Sequence, residues 1–157
     1  MKNEEAVRLF DEYSDDLYRF AVSYVRSKQD AEDIVQEVFT KLLGKHIRLN
    51  KDTEKTYLMT MTANLCKDHL KSAARKTNVD LDSVETELQY FDDFTDRNKE
   101  IYDELMRLES QFRVPIYLHY YDGYSYKEIA GILALSESAV AMRINRGKEI
   151  IRIKLEE

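Results

Sequence analysis

The stretch SYKEIAGILALSESAVAMRINRGK, residues 125–148, decides how the C-terminal part of this chain folds. It predicts two helices joined by a tight turn at residues 134–135. Ser125 and Glu128 form the Ser-x-x-Glu pattern of a capping box, which satisfies two backbone N–H groups at a helix start. Ser136 is placed to cap the second helix. That second helix is rich in arginine and lysine, as a helix that contacts DNA would be.

The hydrophobic spacing of this stretch separates an inner face from an outer face. The residues predicted to face inward are Ile129, Ala130, Leu133, Val140, Ile144 and Ile151. Those predicted to face outward are Ser138, Ala141, Met142, Asn145, Arg146 and Lys148, with Arg143 near the boundary. The pattern is typical of a helix-turn-helix, whose second helix lies in the major groove of DNA. On its own the pattern is only moderately specific, because any helical hairpin can imitate it.

Composition predicts an all-α fold. The 157 residues include four glycines and one proline, which leaves few residues for β-turns. The single cysteine, Cys66, has no partner for a disulfide within the chain, and this suits a reducing cytosol. No stretch approaches the roughly 18 apolar residues of a membrane span. We therefore expect a cytoplasmic protein without membrane insertion.

The net charge of −6 is concentrated in one segment. Residues 1–76 carry a net charge of +1 and residues 98–157 a net charge of −1. Residues 77–97, in contrast, hold seven acidic residues and one basic residue. We therefore predict two small helical domains, at 1–76 and 98–157, joined by an acidic linker at 77–97.

Amphipathic spacing predicts three helices in the first domain. The first spans about residues 4–26, the second is capped by Asp30, and the third is capped by Asp52 or Thr53 and ends near Lys76. The predicted inward residues are Val7, Phe10, Tyr13, Leu17, Phe20, Ala21 and Tyr24 on the first helix, Ile34, Val35, Val38, Phe39, Leu42 and Leu43 on the second, and Tyr57, Leu58, Met61, Leu65 and Cys66 on the third.

The second domain is predicted to begin with two further helices. Ile101, Leu105 and Leu108 mark one of them, and Phe112, Ile116 and Tyr120 mark the next. Proline deep in a helix loses a hydrogen bond, so the latter helix is expected to start only shortly before Pro115.

Two polar faces in the first domain are candidates for function. The outer face of the second helix carries Asp33, Gln36, Glu37 and Thr40, which are hydrogen-bond acceptors suited to arginine. The C-terminal end of the third helix collects Lys67, Lys71, Arg75 and Lys76. An ordinary solvated face explains the first group equally well. Favourable interaction of cations with the helix dipole is the alternative to nucleic-acid contact for the second.

Three stretches, in the right order and at the right distance, resemble the extracytoplasmic-function (ECF) group of bacterial RNA polymerase sigma factors. DAEDIVQEVFTKLL (30–43) resembles the polymerase-binding helix of that family, and TYLMTMTANLCKDHLK (56–71) resembles its promoter-melting helix. YDGYSYKEIAGILALSESAVAMRINRGKEIIR (121–152) resembles its C-terminal promoter reader. The resemblance implies a transcription initiation factor that binds core RNA polymerase and directs promoter recognition and melting.

The resemblance also implies which residues contact each partner. A basic coiled coil of core RNA polymerase would meet Asp33, Gln36, Glu37 and Thr40. The displaced strand of the minus-ten promoter DNA would meet Tyr57, Asn64, Asp68, Lys71, Arg75 and Lys76. The minus-thirty-five element would meet Ser138, Ala141, Met142, Arg143, Asn145, Arg146 and Lys148. The family commonly uses an anti-sigma factor as well, and a connector between the two domains would allow one here.

Several residues on the helices expected to contact DNA depart from the family pattern. Thr60 and Ala63 stand where the family often has basic residues on the melting helix, so strand capture is expected to be weaker or differently specified. Ala141 replaces a common basic residue and Met142 a common serine on the reading helix. The promoter sequence therefore cannot be transferred from relatives.

The acidic linker has two interpretations. In sigma factors of this group the connector threads toward the basic active-site cleft and RNA exit path, so the acids of residues 77–97 would occupy the place of RNA. From composition alone, a solvated and self-repelling tether fits equally well.

Two other functions remain open on the sequence. A stand-alone helix-turn-helix regulator would need a self-complementary apolar patch and palindromic half-sites, and it leaves residues 30–43 unexplained. A non-initiating sigma-like protein would instead sequester an anti-sigma factor, as the departures at Thr60, Ala63 and Ala141 allow.

An enzyme is not expected. His46, His69 and His119 are isolated from one another in the sequence, and no glycine-rich phosphate loop is present. No nucleophile is paired with a base at a recognisable spacing. We expect neither a metal site nor a cofactor.

Overall fold

The computed structural model describes residues 1–77 and 96–157, and for residues 75–77 and 96–98 it describes the backbone alone. The described residues form seven α-helices and no strand, which confirms the all-α prediction. The chain divides into two compact units between Asn78 and Val79. The predicted acidic linker lies almost entirely outside the described residues.

The N-terminal unit consists of α1 (Asn3–Val25), α2 (Lys28–Leu43) and α3 (Glu54–Thr77), and each helix packs against the other two. Its core is apolar and contains residues from all three helices. The most deeply buried apolar side chains are Leu9, Leu17, Phe20, Ala21, Ala31, Val38, Leu42, Leu58 and Cys66. Burial raises the pKa of the Cys66 thiol, so this cysteine stays protonated and acts as a small apolar residue.

The predicted inner stripe of α1 is wrong in its first two turns. Val7 and Phe10 are 58% and 46% exposed, and Ala6 and Leu9 are buried in their place. Successive helical residues are rotated by about 100°, so the apolar residues at the start of α1 offer two possible stripes. Ala6 is in line with Leu17, and Leu9 with Phe20, about three turns further along the helix in each case, and packing selects this stripe.

The predicted cap of α2 also needs correction. Ser27 caps this helix, because its Oγ accepts a hydrogen bond from the Asp30 backbone N–H at 3.2 Å. Asp30 is therefore the third helical residue, where its carboxylate still interacts favourably with the helix dipole. The inward stripe of α2 is confirmed except for Leu43, which is the last residue of the helix and is 48% exposed.

The buried face of α3 differs in part from the predicted face. Leu58 and Cys66 are buried as expected, whereas Tyr57, Met61 and Leu65 are only half-buried. Four residues not predicted to face inward are buried, namely Glu54, Met59, Thr62 and Ala63. Because α3 packs against both α1 and α2, its buried face is wider than a single stripe and is rotated away from Tyr57.

A buried carboxylate joins the start of α3 to α1. Glu54 is 1% exposed and accepts two hydrogen bonds from the Arg8 guanidinium, at 2.8 and 3.2 Å. It accepts a third from the Tyr13 hydroxyl at 2.7 Å. The hydrogen bonds from Arg8 hold the pKa of Glu54 below its usual value despite the opposing effect of burial. Burial and the bond to Glu54 both raise the pKa of Tyr13.

The C-terminal unit consists of α4 (Asp96–Arg107), α5 (Ser110–Tyr120), α6 (Tyr126–Leu133) and α7 (Glu137–Glu156). Helix α7 packs against the other three. The unit is built around a buried apolar core to which each of the four helices contributes. Fully or almost fully buried are Tyr102, Leu105, Met106, Val114, Leu118, Ile129, Ile132, Val140 and Ile144.

Helix α5 departs from the prediction at both ends. It begins at Ser110, five residues before Pro115, so the proline lies inside the helix. The packing of Val114 and Leu118 in the core outweighs the one backbone hydrogen bond that proline cannot donate. Tyr120, which was expected to face inward, is 53% exposed because it lies in the last turn of the helix.

The caps and the turn of the predicted helix-turn-helix are confirmed, whereas its inner face on α6 is confirmed only in part. Ile129 is buried as expected, Ala130 and Leu133 are half-buried, and Ile132 is buried although it was not predicted to face inward. Ser125 Oγ accepts the Glu128 N–H at 3.1 Å, and Glu128 Oε1 accepts the Ser125 N–H at 3.0 Å, which completes the capping box. Ala134 ends α6 in the left-handed conformation, with φ of 55°. Ser136 caps α7 by accepting the Ala139 N–H at 3.1 Å. This turn sets the direction in which α7 leaves α6.

Gly147 lies where α7 comes closest to α5. A Cβ atom at this position would lie 3.2 Å from Cβ of Phe112 and 3.4 Å from Cδ1 of Leu108, and it would overlap the side chain of Ile116. Glycine normally destabilises a helix interior by roughly 1 kcal/mol relative to alanine. At this position its missing side chain allows the close approach of the two helices.

We predict that Gly147→Ala lowers the free energy of unfolding of the C-terminal unit. Overpacking costs about 1–3 kcal/mol, which exceeds the gain in helix propensity. Hydrogen exchange of the α5 and α7 amides measures the change. Gly131→Ala in α6 is the matched control, because a Cβ there meets nothing within 4 Å. The control should be as stable as the parent or slightly more so, and a Gly147→Ala protein that behaved in the same way would contradict this account.

Candidate functional site

The four polar residues predicted on the outer face of α2 are all exposed. They are Asp33, Gln36, Glu37 and Thr40. The Thr40 hydroxyl donates a hydrogen bond to the Gln36 carbonyl at 2.9 Å, and the Glu37 carboxylate lies 3.7 Å from Nζ of Lys41. Both members of this ion pair are about half exposed, so the pair contributes little to stability. The face therefore presents two surface carboxylates to a partner.

The residues predicted on α3 fall into three groups. Asn64, Asp68 and Lys71 are exposed. Tyr57 is half-buried, and its hydroxyl accepts a hydrogen bond from Nζ of Lys45 at 3.1 Å. The side chains of Arg75 and Lys76 lie outside the part of the chain that is described.

Tyr57 and Asn64 line one open cavity of about 500 Å³ at the N-terminal half of α3. Its full lining is Lys45, Thr53, Thr56, Tyr57, Thr60, Met61 and Asn64. An aromatic ring, an amide, three hydroxyls and an ammonium group thus surround one space. These are the groups that stack on a nucleobase, hydrogen-bond to its edge and neutralise a phosphate.

Sequence reasoning missed four residues of this cavity, namely Lys45, Thr53, Thr56 and Met61. The sequence did contain a signal for these residues. The lining residues from Thr53 to Asn64 recur at spacings of three and four residues, which places them along one face at the start of α3. Thr60, a departure from the family pattern, also belongs to this lining. Ala63 does not, since it is 3% exposed and its side chain lies in the core.

The residues predicted on α7 lie at or near the surface. Ser138, Met142, Asn145, Arg146 and Lys148 are exposed, and Ala141 and Arg143 are half-buried. Tyr120 of α5 joins this group, since Nζ of Lys148 lies 5.5 Å from the centre of its ring. A hydrogen bond to Tyr120 raises the pKa of Lys148, so its ammonium group stays charged. Sequence reasoning had placed Tyr120 in the core.

The described ranges, 1–77 and 96–157, hold neither a candidate metal cluster nor a helix that could span a membrane. Within them, no three His, Cys, Asp or Glu side chains are close enough to share a metal ion. Among the helices of these two ranges, none has both the length and the apolar character needed to cross a bilayer.

Two family models match the two units separately. Sigma-70 region 2 matches residues 9–76, and Sigma-70, region 4 matches residues 98–151. The ECF RNA polymerase sigma factor SigX of Bacillus subtilis is 28% identical, over 94% of this chain and 82% of the relative. BldN of Streptomyces coelicolor, also an ECF RNA polymerase sigma factor, is 31% identical, over 85% of this chain and 53% of the relative.

Two solved structures share the fold. The sigma factor RpoE of Bartonella quintana, in complex with the anti-sigma factor NepR, has a TM-score of 0.76 at 20% identity over 98% of both chains. CnrH, in complex with the cytosolic domain of CnrY, has a TM-score of 0.68 at 22% identity over 99% of this chain and 90% of CnrH. At these identities the likeness establishes the all-α architecture.

The two region models occur in the same order as the two sets of exposed polar residues, on α2 and α3 first and on α7 second. The sigma-factor relatives align with most of the chain across both units. This protein therefore belongs to the ECF group of the sigma-70 family and is a transcription initiation factor.

Proposed function

We propose that the two units bind different parts of the promoter. The first domain, residues 1–76, binds core RNA polymerase through the outer face of α2 and captures the minus-ten strand along α3. The second domain, residues 98–157, contacts the minus-thirty-five element through α7. The observation that carries this assignment is the cavity beside Tyr57 and Asn64, because strand capture requires a place for a base outside the stack.

The outer face of α2 suits a cationic protein surface. Asp33 and Glu37 are one helical turn apart, with the amide of Gln36 beside them, so an arginine can approach two acceptors at once. Phosphate would be repelled by the same carboxylates. Polymerase is therefore the better partner for α2, and promoter DNA is the better partner for α3 and α7.

The cavity on α3 offers a separate contact to each part of a nucleotide. The Tyr57 ring presents a surface for stacking, and the Asn64 amide can both donate to and accept from a base edge. Lys45 lies beside the Tyr57 hydroxyl, where its ammonium group can meet the backbone phosphate. Because base contacts specify sequence and phosphate contacts position the strand, these residues have different roles.

Helix α7 combines cations with an apolar contact. Arg146 and Lys148 are exposed and suited to phosphates, which receive half or more of the hydrogen bonds in protein–DNA complexes. Met142 is 58% exposed and suits an apolar group such as the thymine methyl. A helix with so few cations binds DNA only weakly at physiological salt. We therefore expect promoter binding by this protein to depend on polymerase.

We also propose a regulatory partner and a cellular location for this protein. One of the two solved structures is a complex with an anti-sigma factor, and the other is a complex with the cytosolic domain of CnrY. The first supports an anti-sigma partner for this chain. Action on polymerase places the protein in the cytoplasm. We assign no catalytic step to its own residues.

We predict that Asp33→Lys/Glu37→Lys weakens binding to purified core polymerase by about 100-fold or more, because like charges would then face a cationic partner. A fluorescence-anisotropy titration with the labelled full chain measures the dissociation constant. Asp15→Lys/Glu157→Lys makes the same charge change at exposed positions outside α2 and should bind as the parent does. Equal binding by both variants would reject the α2 assignment.

We also predict different effects for two residues of the cavity. In the holoenzyme, Asn64→Ala should weaken binding to a single-stranded minus-ten oligonucleotide by about 1–3 kcal/mol and relax the preference at one base. Lys45→Ala should weaken all sequences alike and reduce the salt dependence by about 0.7 in slope. Lys51→Ala, an exposed lysine of the same loop outside the cavity, is the matched control. If Asn64→Ala weakened every oligonucleotide equally, base reading by this cavity would be ruled out.

A further inference from the structure

Met142 is the most exposed methionine of the chain. All five methionines lie within the described ranges. Met59 and Met106 are buried in the cores of the two units, at 1% and 3% exposure, and Met1 and Met61 are half-buried. Met142 is 58% exposed and lies on α7, away from the buried side of that helix. A reagent dissolved in water therefore reaches this side chain more easily than the other four.

Met142 lies among the residues proposed to meet the minus-thirty-five element. Ser138 precedes it by one turn of α7, and Asn145 and Arg146 follow it by one turn, so these side chains are neighbours on the helix surface. All three neighbours are exposed. Within this group Met142 provides the apolar contact, and the residues around it provide polar ones.

A peroxide can oxidise a thioether such as the side chain of methionine. The sulfur gives up two electrons and takes one oxygen atom, the O–O bond of hydrogen peroxide breaks, and the second oxygen leaves as water with both hydrogens. The product, methionine sulfoxide, is polar and chiral, and reductases convert it back to methionine. Oxidation is therefore a reversible change from an apolar to a polar side chain.

Oxidation of Met142 would alter two contacts with DNA. A sulfoxide is unfavourable against an apolar group such as the thymine methyl, because it loses water there without gaining a hydrogen bond. The sulfoxide oxygen is also an acceptor one helical turn from Arg146, so it can bind the guanidinium and compete with a phosphate for it. Both effects weaken the binding of α7 to a promoter.

The other oxidisable sulfur of this kind belongs to Cys66, which is protected. Cys66 is fully buried between the helices of the N-terminal unit. Burial also raises the pKa of its thiol, and a protonated thiol reacts slowly with oxidants. A peroxide is therefore expected to act on Met142 before it acts on Cys66.

We propose that Met142 is an oxidation site through which a peroxide lowers promoter binding and a methionine sulfoxide reductase restores it. The inference rests on the proposed role of α7 at the minus-thirty-five element. The family pattern commonly has serine at this position, and serine is not oxidised by peroxide. The proposed sensitivity therefore comes from a residue in which this chain departs from that pattern.

The test oxidises the full chain with hydrogen peroxide and removes the peroxide before untreated core polymerase is added. Peptide mass spectrometry follows each methionine, and we expect Met142 to be oxidised about fivefold faster than Met61 or more. Transcription from a promoter recovered from genomic fragments should fall about tenfold, as is typical for the loss of one base-pair contact. Treatment of the oxidised protein with methionine sulfoxide reductases should restore transcription.

Two substitutions separate Met142 from the other oxidisable side chains. Met142→Leu removes the sulfur, so peroxide should not change the transcription that this variant directs before treatment. Met142→Gln introduces a polar side chain of similar length, and without peroxide it should direct about tenfold less transcription than Met142→Leu. Methionine, leucine and glutamine have similar helix propensities, so the three proteins should be equally folded.

Three results would overturn the inference. One is an oxidised parent that directs as much transcription as the untreated parent. Another is a Met142→Leu protein that loses as much transcription to peroxide as the parent does, because a different residue would then be responsible. The third is oxidation of Met61 ahead of Met142. A parent that directed no transcription even before oxidation would reject the proposed function itself.

Discussion

The carboxylate of Glu54 is the constraint on which the arrangement of the N-terminal unit depends. It is the first residue of α3, it is almost completely buried, and three hydrogen bonds from Arg8 and Tyr13 hold it against α1. A buried carboxylate without such partners would be strongly unfavourable, so α3 must begin at this point on α1. The cavity along the first turns of α3 is thereby fixed relative to α1.

The surfaces of the two units match the chemistry of the partners proposed for them. Carboxylates lie on the outer face of α2, where a protein partner is favoured. Hydroxyls, an amide and an aromatic ring line the cavity on α3, where a base is favoured. Cations and a methionine occupy α7, where a duplex is favoured. Neither domain carries a large net positive charge, so we expect affinity for DNA to depend on assembly with polymerase.

The parts of the fold set by local chemistry could be predicted from the sequence. The capping box at Ser125 and Glu128, the cap at Ser136 and the inner residues of α7 depend on neighbours within one or two turns, and all are confirmed. The start of α1 could not be assigned in this way, because Val7 and Leu9 are both apolar and packing against the other helices decides between them. The position of Pro115 inside α5 likewise depends on core contacts from other helices. Which residues share the cavity on α3 depends on the loop before it, because Lys45 reaches Tyr57 across twelve residues of sequence.

The close approach of helices at Gly147 shows a different limit of prediction from sequence. Sequence reasoning identifies a glycine in a helix as unfavourable, but only the structure shows the side chains of Phe112 and Ile116 against it. The assignment of partners to surfaces likewise depends on which side chains the structure brings together. Family membership establishes a transcription initiation factor, and the chemistry of each surface supports one partner over another.

The most direct test of the central claim is transcription in vitro with purified core polymerase from the source organism on fragmented genomic DNA, with and without this protein. The account predicts discrete new transcripts that depend on the protein. A protein that bound core polymerase but produced no new transcript would contradict initiation and indicate a non-initiating sigma-like role. A protein that ignored core polymerase and bound palindromic DNA by itself would contradict the account in favour of a stand-alone regulator.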